Sequence, residues 1–367
     1  MEHLDDNKNE DLTSKIEQFD ESLLGDPNAL QATENAKNLD ANDSDISFKN
    51  RIDLTELQEG IALIKNEIGK VIVGQKGMID MLIASVLANG HSLIEGVPGV
   101  AKTISAKLLA KSLDIGFSRI QFTPDLMPSD ILGTSIFNMK NSEFEFKQGP
   151  IFSNMILIDE INRAPAKTQA ALFEVMEERQ ITIDGNKFKM ELPFIVLATQ
   201  NPIEQEGTYR LPEAQLDRFL FKIDIDYPNL SEEIEILNRE QNLQGATKME
   251  QIKAHLSKAQ INKFQGLIEQ IIIESHLIKY IADIIVSTRS NPFLYLGASP
   301  RASIAILKAS KAFAAMSGRD FVTPEDIKRA AIPVLQHRVI VTPEREMEGV
   351  TTKQIIKQII EAVEIPR

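Results

Sequence analysis

The stretch Leu93-Ile94-Glu95-Gly96-Val97-Pro98-Gly99-Val100-Ala101-Lys102-Thr103 decides the fold. It reads as an apolar strand, a glycine loop and the first turn of a helix, the order that a phosphate-binding loop requires. Gly96 and Gly99 let backbone N–H groups curl round phosphate oxygens, and the helix N-terminus adds its partial positive charge. Lys102 reaches the outer phosphates and the Thr103 hydroxyl ligates Mg²⁺. The loop departs from G-x-x-x-x-G-K-[ST] at Ala101, where the second glycine is usual; alanine is acceptable there if its φ is negative. So relaxed a pattern also arises by chance, and its weight depends on what surrounds it.

Around the loop, short apolar runs alternate with helical segments. Ser92-Leu93-Ile94, Arg119–Phe122, Met155–Ile158, Phe194–Ala198 and Phe221–Ile225 read as buried strands. Their separation by helices argues for a five-stranded parallel sheet with crossovers, a three-layer αβα domain over residues 51–226. Beyond Tyr227-Pro228-Asn229-Leu230-Ser231 the strand signals stop. Helical periodicity at about 231–242, 258–273, 276–289, 301–317, 324–337 and 351–363 describes a small all-helical second domain, residues 227–367. Residues 1–50 carry thirteen Asp or Glu against four Lys and few aromatics, which marks an acidic leader that stays disordered; an acidic docking arm for a basic partner is the alternative.

The Met155–Ile158 run ends in Asp159-Glu160. An Asp to hold Mg²⁺ and a Glu to orient and deprotonate water are the two groups a phosphate loop still lacks for hydrolysis; the competing reading is a helix N-cap. Thr199-Gln200-Asn201-Pro202 ends the strand expected between these two sites, where a neutral amide would hold the attacking water or the γ-phosphate; Asn-Pro is also a common turn. Leu216-Asp217-Arg218-Phe219 lies on a short helix from about Glu213. Arg218 there is either a surface ion-pair partner or an arginine finger offered to a neighbouring subunit. Gly297-Ala298-Ser299-Pro300-Arg301 opens a helix of the second domain, from which Arg301 reaches back to the phosphates through domain closure, unless the segment is only a cap.

The whole-chain charge of −13 places −9 in the leader and leaves −4 for the rest, so no basic face for nucleic acid is expected. There is no cysteine, and the five histidines are scattered, so any metal is a hard, oxygen-bound ion. No run approaches the roughly 18 apolar residues of a membrane span, and the start Met1-Glu2-His3-Leu4-Asp5-Asp6 is no signal peptide; a cytoplasmic location is expected.

Taken together over about residues 51–345, these motifs resemble the MoxR family of AAA+ ATPases. Gly74-Gln75 resembles the segment that packs near adenine, and Glu95–Thr103 the Walker A loop, in which alanine at the Ala101 position is familiar. Asp159–Ala164 is similar to Walker B, Ala198–Pro202 to sensor 1, Leu211–Phe219 to the arginine-finger helix and Gly297–Arg301 to sensor 2. The resemblance implies ATP and Mg²⁺ as cofactors. It places nucleotide contacts at Gly74, Gln75, Gly96, Val97, Pro98, Gly99, Val100, Ala101, Lys102, Thr103 and Ile104, metal ligands at Thr103 and Asp159, and catalytic roles at Glu160, Asn201, Arg218 and Arg301.

Two further segments, around Ile136–Phe146 and the hairpin Gln180–Phe188 with its Asp184-Gly185 turn, resemble inserts that face the pore of a ring in this clade. Implied partners are further copies in a ring, six-membered by resemblance, and a protein client, with von Willebrand factor A proteins as examples. The implied function is ATP-driven, chaperone-like remodelling or maturation of a protein complex. The alternatives are a nucleic-acid-linked motor or regulator, which the charge disfavours, and a weakly hydrolysing nucleotide-gated scaffold, which the Asp159-Glu160 pair disfavours. Whether Arg163, Arg210 or Arg218 is the finger is open.

Overall fold

The computed structural model describes residues 51–97, 99–201, 209, 211–242 and 252–365. The leader 1–50, Pro98, Pro202 and Arg210 therefore lie outside the described residues.

Two helices, α1 (Thr55–Gly69) and α2 (Lys76–Leu87), precede strand β1 (Ser92–Gly96). Then follow α3 (Lys102–Ser112), β2 (Phe117–Gln121), α4 (Pro128–Leu132), a hairpin of β3 (Gly133–Asn138) and β4 (Glu143–Gln148), and β5 (Met155–Asp159). Helix α5 (Ala166–Glu178) leads into a second hairpin, β6 (Gln180–Ile183) with β7 (Asn186–Lys189), and then β8 (Ile195–Gln200), α6 (Glu213–Leu216) and β9 (Phe221–Ile225). The order β2–β5–β8–β1–β9 is parallel throughout, as the alternation of apolar runs and helices predicts. All strands thus point their C-terminal ends to one edge.

Strands β5 and β8 are apolar almost end to end because both faces are covered. Side chains alternate between two cores. Ile94, Leu157, Leu197 and Phe221 join Leu57, Ile64, Leu82 and Leu109 of α1, α2 and α3, whereas Leu93, Ile156, Ile158, Val196 and Ala198 join Leu172, Phe173 and Met176 of α5. That period of two places one helical layer on each face.

The remaining helices are α7 (Leu230–Asn242), α8 (Lys258–Glu269), α9 (Ser275–Ser290), α10 (Pro300–Met316), α11 (Pro324–Leu335), α12 (Pro343–Met347) and α13 (Thr352–Ala362). Helices α8 and α13 start at capping boxes, Ser257 with Gln260 and Thr351 with Gln354. Helix α10 packs into the first core: Phe313 is fully buried and stacks on Phe221 with ring centroids 6.0 Å apart. Burying a side chain of that size contributes about 1.5–3 kcal/mol.

Two expectations need correction. The helical region is not free of strands, because β10 (Leu294–Leu296) pairs antiparallel with β11 (Ile340–Val341); runs this short leave no periodic signal. Helix α8 ends at Glu269 rather than near residue 273. The β-branched run Ile271-Ile272-Ile273 leaves the helix, and Ile272 exchanges backbone hydrogen bonds with the Asp320–Val322 segment at 3.0 and 2.9 Å.

Candidate active site

At the C-terminal edge of the sheet, β1, β8 and β5 each end in residues that the sequence singles out. The loop after β1 is tight. Gly96 sits so near β9 that a Cβ there would lie 2.9 Å from the Ile225 carbonyl oxygen, and Gly99 has φ +87°. Ala101 has φ +60°, in the left-handed region, which corrects the expectation of a negative φ. The backbone must turn sharply to bring Lys102 into the first turn of α3, and alanine adopts the conformation glycine usually supplies at a cost of about 1–2 kcal/mol.

Lys102 Nζ donates to the Gly96 carbonyl at 2.7 Å, folding the side chain back over the loop. Burial lowers its pKa below the ordinary lysine value, while the charges of Asp159, Glu160 and Glu95 act in the opposite direction. The ammonium of the loop after β1 and the two carboxylates at the end of β5 thus stand at the same C-terminal edge of the sheet. Thr103 follows in the same turn of α3, and Val100 is buried in the core beneath.

Asp159 is buried. Its Oδ1 accepts from the Thr199 hydroxyl at 3.2 Å and its Oδ2 from Arg119 Nε at 2.6 Å. The same Thr199 Oγ1 accepts from the Glu160 backbone N–H at 3.1 Å, so the end of β8 ties the two acidic residues together. Glu160 has φ +58°, which turns it out of the strand direction, and its Oε2 accepts from Gln121 Nε2 at 2.7 Å and Arg163 Nη1 at 3.1 Å. Asn201 is buried just beyond β8.

Gly74 and Gln75 both adopt positive φ, and Gln75 Nε2 donates to the Asp226 carbonyl at 3.0 Å. Gln75 borders a cavity of about 510 Å³ at the end of β9, lined among others by Met78, Tyr227 and Arg329.

The two remaining arginines meet elsewhere. Arg218 lies in the turn after α6, not on the helix, and its Nη1 contacts Glu177 Oε2 at 2.5 Å and the Phe173 carbonyl at 2.7 Å. Arg301, in the first turn of α10, donates from Nη2 to Glu177 Oε1 at 3.0 Å. The expectation that Arg301 reaches back to the phosphate loop is not what this arrangement displays: it stands beside Arg218 on the last turn of α5. Arg163, by contrast, is engaged with Glu160 of its own chain.

Residues 91–221 match the model of the ATPase family associated with various cellular activities (AAA), and residues 286–359 match the AAA lid domain. The chain is 44% identical over 299 residues to the uncharacterised Bacillus subtilis protein YeaC, covering 82% of this chain and 92% of that one. It is 42% identical over 310 residues to the chaperone MoxR1 of Mycobacterium tuberculosis, covering 82% and 81%. The chain belongs to the MoxR family of AAA+ ATPases. A crystal structure from Cytophaga hutchinsonii, 44% identical, superposes with a TM-score of 0.79 over 85% of this MoxR-type chain and 97% of that one.

Within this MoxR-type site, sequence reasoning missed Arg119, Gln121 and Glu177. The first two carry a signal in hindsight: a strand expected to be buried places an arginine and a glutamine two residues apart, hence on one face, at the sheet edge where the site lies. Glu177 carries none, because an acidic residue late in an amphipathic helix reads as solvated surface.

Proposed function

We propose that this protein binds Mg²⁺-ATP, hydrolyses it, and uses the cycle in a ring of identical subunits to remodel or mature a protein complex in the cytoplasm. One observation carries the reading: Lys102, Asp159 and Glu160 share one edge of the parallel sheet, with Thr199 bonded to both acidic residues.

The residues present fit the nucleotide. The Lys102 ammonium rests on a carbonyl of its own loop, a partner a phosphate oxygen replaces, and the first turn of α3 presents backbone N–H groups and the Thr103 hydroxyl. Thr103 and Asp159 offer the hard oxygen ligands magnesium takes, and the ion supplies charge neutralisation on the β- and γ-phosphates. Gln75, which follows Gly74 in the chain, borders the cavity suited to the base.

The chain's own groups then have separate tasks. Lys102 stabilises charge on the outer phosphates. Glu160 orients a water molecule and takes its proton as the oxygen adds to the γ-phosphorus. Asn201 fixes the water or the γ-phosphate. Gln121 and Arg163 both donate to Glu160 Oε2 and hold the side chain in the resting arrangement, and that oxygen must leave them to face the water.

A ring is supported by the placement of Arg218, which is engaged away from Lys102 and is proposed as the finger for an adjoining subunit. The exposed Phe137, Met139 and Phe144 at the tip of the β3–β4 hairpin are apolar and suit a protein client, a role in keeping with the chaperone name of the Mycobacterium tuberculosis relative. The reading is tested by measuring ATP turnover per subunit against protein concentration. A rise with assembly supports the ring enzyme, and turnover independent of concentration at every level contradicts it.

A further inference from the structure

Glu177 sits on the last turn of α5 with each carboxylate oxygen on a different arginine: Oε2 on Arg218 at 2.5 Å and Oε1 on Arg301 at 3.0 Å. Those arginines arrive from separate parts of the chain, one after α6 and the other at the start of α10. Their neighbours are fixed as well. Asp217 accepts from the Ser299 hydroxyl at 3.0 Å and from Arg338 Nε at 2.7 Å, so the backbones carrying both arginines are joined side by side. Two guanidinium groups held this close repel unless an anion lies between them, and Glu177 is the carboxylate that bonds to both.

The arrangement also leaves donors to spare. Each guanidinium has five N–H groups, and the buried Arg218 Nε–H finds no hydrogen-bond partner. Buried donors are normally satisfied, so a shift of the Arg218 side chain that brings this N–H to an acceptor is favoured. The Arg301 side chain is 55% exposed and that of Glu177 40%, which leaves the cluster open to an adjoining surface.

We propose that Glu177 is a positioning residue that gathers Arg218 and Arg301 into one paired-arginine site for a terminal phosphate of nucleotide bound to an adjoining copy of this chain. The proposal rests on the ring reading above. It assigns Arg301 to the same task as Arg218 and makes the end of α5 the mount for both.

The test is subunit mixing with the full-length chain. Glu177→Ala is expected to lower ATP turnover about tenfold or more, the scale of a lost arginine contact, while the affinity for a fluorescent ATP analogue stays within about twofold. Glu177→Gln, which keeps one acceptor oxygen, is expected to fall between the two and carries the test if the alanine variant melts early. Mixed with Glu160→Gln, the Glu177→Ala protein is expected to regain turnover, because its intact Glu160 meets correctly held arginines from the other copy. Mixed with Arg218→Ala it is expected to stay inactive, since both then lack the same function.

Unchanged or increased turnover in Glu177→Ala overturns the proposal. So does recovery with Arg218→Ala but not with Glu160→Gln. The control mixture of Arg218→Ala with Glu160→Gln separates the two levels: silence there overturns the ring reading and this proposal together. Recovery in the control without recovery of Glu177→Ala by Glu160→Gln overturns this proposal alone.

Discussion

Arg119 Nε donates to Asp159 Oδ2 at 2.6 Å, so the carboxylate proposed to hold magnesium is already engaged by a cation from the neighbouring strand. The arginine side chain is half exposed, whereas the aspartate is nearly buried. Removing Arg119 takes away a competitor for Asp159 and a nearby positive charge. Arg119→Ala is expected to lower the Mg²⁺ concentration for half-maximal turnover by about two- to fivefold, the range set by an ion pair worth up to about 1 kcal/mol. A magnesium titration of ATPase activity that moves the other way contradicts this role.

Thr199 bridges the acidic pair with one hydroxyl, donating to Asp159 and accepting from the Glu160 backbone. Thr199→Val keeps the shape and strips both bonds, leaving the partly buried Glu160 N–H and a buried Asp159 carboxylate oxygen short of partners. A loss of about 1–3 kcal/mol in stability is expected, with turnover falling more than nucleotide affinity. Thr199→Ser restores both properties. Chemical unfolding and steady-state kinetics on the three proteins measure this.

Arg338 is buried and donates to Asp217 Oδ1 and to the carbonyls of Asp217, Phe219, Leu220 and Val334 at 2.6 to 3.2 Å. It anchors the turn that carries Arg218 to the end of α11. Arg338→Met leaves Asp217 and several carbonyls without this donor, and a destabilisation of about 3–5 kcal/mol is expected. A midpoint of urea unfolding close to the wild type's contradicts it.

Acid sensitivity follows from His91. Its Nδ1 accepts the Val196 N–H at 3.0 Å and its Nε2 donates to the Met176 carbonyl at 3.1 Å, a pattern only the neutral ring satisfies. Burial holds its pKa down to about 4, against about 6.5 for an unfolded histidine. Between those values the unfolded chain binds a proton that the native chain refuses. The contribution is therefore fully present above about pH 6.5 and is lost as pH falls toward 4, by about 3 kcal/mol. His337, also buried and pushed below the ordinary value by burial first, adds a loss of the same sign. Urea melts from pH 7.5 to 4.5 record the decline, and the His91→Asn protein is expected to show a shallower one. Equal slopes contradict the assignment to His91.

The sheet was legible because its strands are the kind sequence displays best: Met155–Ile158 and Phe194–Ala198 are continuous apolar runs, since both faces are covered. The β10–β11 pair was not, because two or three residues carry no period. The loop and the acidic pair were readable as local patterns. The partners that tune them were not: Arg119 lies forty positions from Asp159, and Arg218 and Arg301 are joined only through Glu177. Such links arise from packing between distant segments, and a linear pattern records none of it. Ala101 shows the opposite failure, a local rule about φ overridden by the turn that delivers Lys102.

The most direct measurement is ATP binding and ATP hydrolysis side by side in the Glu160→Gln protein. The replacement keeps the side chain's size and its capacity to accept a hydrogen bond from Gln121, but removes the carboxylate proposed as the base. Nucleotide affinity within about twofold of the wild type, with turnover reduced at least about a hundredfold, is the expected result. Turnover equal to the wild type's contradicts the account, since the proton of the attacking water would then pass to some other group.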